Sequence, residues 1–463
     1  MGEARKKEEV PRSKRISRRG FLKPLAGLGA LSALPPDARA ARPEPRLALE
    51  GGEPVRRSPL RARLYGPLFF DDEERNELDD VLRSRSPFRW WGSSNSPPEK
   101  VRLFESEFAA YLGVAHALGV TSGTTALMTA LAALEVGPGD EVILPAWTWY
   151  ADYDAIVLAG ATPVFAEIDE SFDIDPEDAA RRVTPRTKAI IACHLQGTPC
   201  DLEPLVALAR ARGIRLLEDC AQAVGARYRG KPVGSFGDIA IFSFQVNKTI
   251  TAGEGGAVVT NDPKLFERAL RFHDVGTLRE PYRSLLGGGA LGRFVSANFR
   301  MSEFTGAVLR AQLRKLERIA GALRRLARAV RRGLEGLPEL AFRKTPDPEG
   351  DLGVAVYLDL KTAARRERFS EAMAAENVPA SGPSGSAILP IEPYIREKKT
   401  VHPSWPSFAE RPGAPELRYG PETCPRTIDI LGRHAGVILD PLFTEADVAD
   451  IVAAVRKVHS ALA

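Results

Sequence analysis

In the stretch SFQVNKTITAGEGG, Ser243 to Gly256, a single lysine, Lys248, follows the strand-like run IAIFSF. An ammonium at the end of a buried strand must be paired or lose its charge, so Lys248 is a candidate for attachment of a bound group. Three further stretches are placed in the same way. TSGTTALMTAL sets Ser122, Gly123, Thr124 and Thr125 between a strand and an apolar-periodic helix. These residues either cap that helix or let its free N–H groups and dipole receive an anion such as phosphate. LLEDC ends a hydrophobic strand on Glu218 and Asp219, where a carboxylate caps the next helix or meets a cation. PAWTWYADY offers Trp147 and Trp149 just after another strand, as core aromatics or as a stacking face for a planar ring.

The elements that would position these groups are legible as a pattern. From KVRLFESEFAAYLGV onward, helical periodicity alternates with the short apolar runs HALGVTS, EVILPA, TPVFAEI, KAIIACH, RLLEDC, IAIFSF and GGAVVTN. Seven strands separated by helices predict an α/β fold with a mainly parallel sheet covered on both faces, and ligands gather at the carboxyl ends of such strands. DDEERNELDDVLRS reads as a capped, charged helix ahead of the sheet. Beyond it, Leu313, Leu316, Ile319, Leu323, Leu326 and Val330 recur at helical spacing with arginines on the other faces. Those arginines are the wet side of an amphipathic helix and give no reason to expect nucleic-acid binding. VAVYLDL and TEADVADIVAAVRKVHSAL read as a strand and the closing helix of a smaller C-terminal α+β domain. The Pro-rich SGPSGSAILPIEPYIREKKTVHPSWPSF between them is expected to line a substrate mouth. His194 and His273 are candidates for catalysis, with a core or capping role as the favoured reading. Cys193, Cys200, Cys220 and Cys424 suit neither a disulfide framework nor a common zinc site, so no metal is expected.

A phosphate nest, a flat aromatic, a carboxylate and a buried lysine, each at a strand end, are together what pyridoxal 5'-phosphate requires. The chain resembles the DegT/DnrJ/StrS family of pyridoxal-phosphate aminotransferases, enzymes of sugars and cyclitols with the fold-type-I architecture. The resemblance runs from about Phe104 to the C-terminus through TSGTTAL, GPGDEVILPAWTW, GATPVFAEID, DCAQAVGA, GSFGDIAIFSFQVNK, GEGGAVVT and ANFRMSEFTGAVLRAQL. It implies that Lys248 forms the Schiff base and that Asp219 pairs with the pyridine nitrogen. It also implies that Gln222 lies near the phenolic oxygen, that Thr124, Thr125 and Ser243 hold the phosphate, and that Trp149 stacks on the ring. Asn298 would reach the phosphate of a neighbouring subunit, making a homodimer. The implied reaction moves an amino group from glutamate or glutamine to a keto-sugar or cyclitol ketone. Gln196 stands where the family commonly has a tyrosine, and SFQ replaces the commoner SFH, a variant closer to cyclitol and aminobenzoate-forming members. Two other readings are a non-catalytic exported binding or sensory protein and a sugar dehydratase of the same family. Lys248 weighs against the dehydratase, whose lysine is replaced by histidine.

With 463 residues and 44% apolar composition, the chain can bury a large core. Its formal charge is +4, but the first 40 residues hold ten basic against four acidic side chains, which leaves −2 for the rest. That basic segment contains Ser17-Arg18-Arg19-Gly20-Phe21-Leu22-Lys23, a short apolar run to Leu34, and Ala38-Arg39-Ala40 before Ala41. It resembles a twin-arginine export signal, with an apolar run too short to span a bilayer. The expected organisation is a signal over 1–40, a linker over 41–62, a large cofactor-binding domain over 63–319 and the small domain over 320–463. The expected location is the periplasm, reached through the twin-arginine translocation machinery, with the cytoplasm as the alternative.

Overall fold

Fully buried strands need apolar side chains on both faces, and alternate residues then face opposite layers. The computed structural model, which describes residues 46–63, 65–90, 99–402, 405, 408 and 417–462, is built on this rule. Seven strands form its main sheet: β1 (His116–Val120), β2 (Glu141–Pro145), β3 (Thr162–Ala166), β4 (Thr187–Cys193), β5 (Arg215–Asp219), β6 (Ile239–Ser243) and β7 (Gly256–Thr260). Their order is β1-β7-β6-β5-β4-β2-β3, and β7 alone runs against the others. This is the mainly parallel seven-stranded sheet expected from the sequence.

Adjacent residues in the strands divide between two cores. Ile190, Leu216 and Phe242 join Phe104, Phe108 and Leu316 on one face. Ile191, Leu217 and Ile241 join Leu127, Ile156 and Leu270 on the other. Helices Lys100–Leu112 and Glu303–Leu334 therefore cover the first face, and Gly123–Ala133, Tyr150–Leu158 and Pro263–His273 cover the second. Each strand that reaches the carboxyl edge is held rigidly from both sides.

A second, antiparallel sheet comprises β8 (Ala341–Phe342), β9 (Ala355–Asp359) and β10 (His434–Ile438), backed by helices Ala363–Ala375 and Glu445–Leu462. The boundary expected at 319/320 falls inside the 32-residue helix Glu303–Leu334, which runs unbroken between the two regions. Ser302 caps that helix by accepting the Thr305 N–H at 3.2 Å. Residues 45–463 form one unit by their contacts.

Residues 46–62 are not the linker expected. Leu47 and Leu60 are buried, and the Ala48 and Val55 N–H groups both donate to Glu376, each at 2.9 Å. Arg56 pairs with Asp447 and Asp450 on the closing helix at 2.9 and 2.6 Å. This strap is fixed by backbone donors satisfied far along the chain. Residues 1–45, and with them the expected signal, lie outside the described residues. Among the described residues no helix is long and apolar enough to cross a membrane.

Candidate active site

The carboxyl ends of β4, β5 and β6 and the start of helix Gly123–Ala133 border a cavity of about 360 Å³. At one end Ser122 caps the helix: its hydroxyl accepts the Thr125 N–H at 3.1 Å, and the Ser122 N–H donates to Thr125 Oγ1 at 2.9 Å. The Thr125 hydroxyl also donates to the Ser122 carbonyl at 2.9 Å. Thr125 is thus spent on the cap and is absent from the cavity lining, unlike Thr124 and Ser243, which line it. The Gly123 and Thr124 N–H groups find no acceptor among the described residues. A Cβ on Gly123 would lie 2.8 Å from the Ser243 Cβ, so only glycine lets the helix end approach β6 this closely. Free N–H groups, the helix dipole and two hydroxyls make an anion seat.

At the other end stand Asp219 and Lys248. The Asp219 carboxyl, 8% exposed, accepts the Ala221 N–H at 2.8 Å. Burial pushes it above the ordinary carboxylate range, while that N–H and the Lys248 charge pull it back. Lys248 forms no ion pair among the described residues; burial pushes its amine below the ordinary lysine range, against the through-space pull of Asp219. A lysine so placed has a larger neutral, nucleophilic fraction than a surface one.

Trp149 borders the cavity with about half its surface exposed, at the N-terminus of helix Tyr150–Leu158, whereas Trp147 is core. The flat face expected beside the anion seat is therefore that of Trp149. Gln222 is oriented by three contacts: it accepts the Gln196 N–H at 3.2 Å and donates to Ser386 Oγ at 3.1 Å and Gly385 O at 3.3 Å. Gln196 takes φ 56 and donates to the Ser384 carbonyl, while Tyr357 donates to its amide oxygen at 3.3 Å.

Lys248 also borders a second cavity of about 420 Å³, with Gln196, Gln222, Asn247, Ser384, Arg63 and Tyr65 around it. Arg63 is already held bidentately by Asp440, at 2.7 and 3.1 Å. Sequence reasoning singled out neither Tyr65 nor Asn247. The expected Pro-rich mouth is present through Ser384 and Gly385, and its Ala387–Ile388 strand pairs with Trp147–Thr148.

Asn298 is exposed and lines neither cavity, its backbone bridging Asp274 instead. His194 does border the cavity, but its Nδ1 accepts the Cys200 N–H at 2.9 Å and its Nε2 lies 3.2 Å from Glu218. Burial would raise the Glu218 carboxyl, yet the His194 hydrogen bond and the Gly237 and Gly234 N–H groups hold it below its ordinary range. His273 is core, pushed down to about 3 by burial. All four cysteines are free and buried.

Residues 70–456 match the model of the DegT/DnrJ/EryC1/StrS aminotransferase family. The chain is 36% identical to GDP-perosamine synthase of Vibrio cholerae over 353 residues, 75% of this chain and 91% of that one. It is 42% identical to 3-amino-5-hydroxybenzoate synthase of Amycolatopsis mediterranei over 251 residues, 54% of this chain and 62% of the other. The crystal structure of a 3-amino-5-hydroxybenzoic acid synthase superposes with a TM-score of 0.70 at 31% identity, covering 87% of this chain and 99% of that one. The chain belongs to the DegT/DnrJ/EryC1/StrS aminotransferase family.

Proposed function

We propose that this pyridoxal-phosphate-dependent aminotransferase moves an amino group from glutamate or glutamine to the ketone of a cyclitol or sugar. The observation that carries this reading is Lys248, a half-buried amine with no ion pair among the described residues, set between an anion seat and a polar cavity. The residues present fit the cofactor. The Gly123 and Thr124 N–H groups with the Thr124 and Ser243 hydroxyls would hold its phosphate, and Trp149 would cover its ring. Asp219 would hold a proton at the ring nitrogen, and Lys248 would carry the group covalently. When bound, pyridoxal phosphate supplies an aldehyde for amine exchange and a ring that accepts the electron pair released on deprotonation.

The chain's own work is then binding and proton movement. Lys248, freed as an amine, would carry a proton between the donor's α-carbon and the cofactor, helped by its lowered basicity. The second cavity offers the side-chain amides of Gln196, Gln222 and Asn247, partners a polyhydroxylated ketone needs, and its one described cation besides Lys248, Arg63, is already neutralised by Asp440. In that cavity, recognition of an acceptor rests on neutral hydrogen bonds, which suits a cyclitol or free sugar.

Purified protein loaded with pyridoxal phosphate should absorb in the visible, and adding glutamate or glutamine alone should bleach that band as the cofactor takes the amino group. The acceptor ketone should then restore it. A band that persists in the presence of both donors would sink the proposal.

A further inference from the structure

Behind Asp219 lies a second carboxyl, that of Asp152, which none of the chemistry above uses. Asp152 is fully buried in the first turn of helix Tyr150–Leu158. Its Oδ2 accepts the Thr148 hydroxyl at 2.5 Å and the Cys193 thiol at 3.3 Å. Among the described residues its Oδ1 receives no N–H or O–H donor. One oxygen from each of Asp152 and Asp219, together with the Cys193 sulfur, lies within 4.8 Å of the others.

Two buried carboxylates this close cannot both keep their charge. The charge belongs on Asp219, which has the Ala221 N–H and faces Lys248, whereas Asp152 meets no cation. The helix start favours an anion at Asp152 by about 1 kcal/mol, less than the several kcal/mol that an unpaired buried charge costs. With Oδ2 taken by two donors, the hydrogen falls on Oδ1, the oxygen left without one.

We infer that Asp152 is a neutral acid whose Oδ1 hydrogen is shared with Asp219, fixing the orientation of that carboxylate and weakening it as a base. Asp152 is a positioning residue, acting on the cofactor only through Asp219. The location of the hydrogen stands on geometry alone, while its effect on cofactor binding rests on Asp219 facing the ring nitrogen.

Two measurements on the full chain separate these parts. Infrared difference spectra of cofactor-free protein at neutral pH, wild type minus Asp152→Asn, should show one carboxylic-acid carbonyl band. The other buried acids cancel in the difference. No such band, or a divalent metal recovered stoichiometrically from the protein, would overturn the inference. In pyridoxal-phosphate titrations, Asp152→Asn still donates to Asp219 and should stay near wild type. Asp152→Ala should weaken binding about tenfold, as expected for loss of a hydrogen bond to a charged group. Asn and Ala variants equally weakened would overturn the positioning role even where the carbonyl band is found, and without counting against an aminotransferase.

Discussion

Lys248 sits where two forces oppose each other: burial disfavours its ammonium form, Asp219 favours it, and burial wins. Its amine therefore titrates below the ordinary lysine value, and the sign of the consequence follows. In the cofactor-free protein the charged lysine is a cost at every pH below that of an exposed lysine, about 10.4, and the cost disappears above it. Lys248→Met should thus raise the melting temperature of cofactor-free protein at pH 7, and the gain should fade as pH approaches 10. Lys248→Ala should abolish both the visible band of the loaded enzyme and turnover, with unchanged far-UV circular dichroism. Transamination by that variant at the wild-type rate would refute the assignment. Lys248 was legible in sequence because a lone cation after a buried strand has few innocent explanations. Thr125 was not, because a helix cap and a phosphate ligand ask for the same hydroxyl at the same place, and only the bonds to Ser122 tell them apart. Asp152 was hidden for a similar reason: an acid in the first turn of a helix reads as ordinary dipole pairing until its neighbours are known.

The seven strands of the main sheet were readable because buried parallel strands are written as unbroken apolar runs. The strap over 46–62 was misread as a linker because its Pro, Arg and Glu content carries no periodicity. Its anchors lie 321 to 394 residues downstream, at Glu376 and in the closing helix. Glu376 is fully buried and accepts from Ala48, Val55 and the Lys457 ammonium, the last at 2.8 Å. Glu376→Ala would leave the Ala48 and Val55 N–H groups without their acceptor and the nearly buried Lys457 ammonium with only the Glu53 carbonyl, at 2.7 Å. Breaking one partner of a buried pair costs about 3–5 kcal/mol, so the variant should unfold at clearly lower urea concentration. Glu376→Gln keeps an acceptor oxygen and should lose less. Equal stability of wild type and Glu376→Ala in urea would show that the strap contributes nothing.

At the scale of the whole molecule, the site needs segments from residues 122–124, 149, 219 and 243–248, so it exists only in a folded chain. Asn298, which the family resemblance directs toward a neighbouring subunit, lies exposed and away from its own chain's cavities. We therefore expect sedimentation of the loaded protein to give a homodimer, and Asn298→Ala to weaken cofactor binding; a stable monomer saturated with cofactor would count against this. The same dependence on folding bears on location. The twin-arginine route carries proteins already folded, whereas a chain threaded unfolded across a membrane would have to find pyridoxal phosphate on the far side. A motif of the form Ser17-Arg18-Arg19-Gly20-Phe21-Leu22-Lys23 is thus the kind of signal that an assembled cofactor site demands. We propose that the chain loads its cofactor in the cytoplasm, crosses the membrane folded, and is cut after Ala40. Fractionation of bacterial cells should then place the cofactor-bearing protein outside the cytoplasmic membrane with its N-terminus near Ala41. Changing Arg18 and Arg19 together to lysine should hold it inside. Recovery of the wild-type protein in the soluble cytoplasmic fraction with Met1 intact would refute export and leave the basic segment without a role in transport.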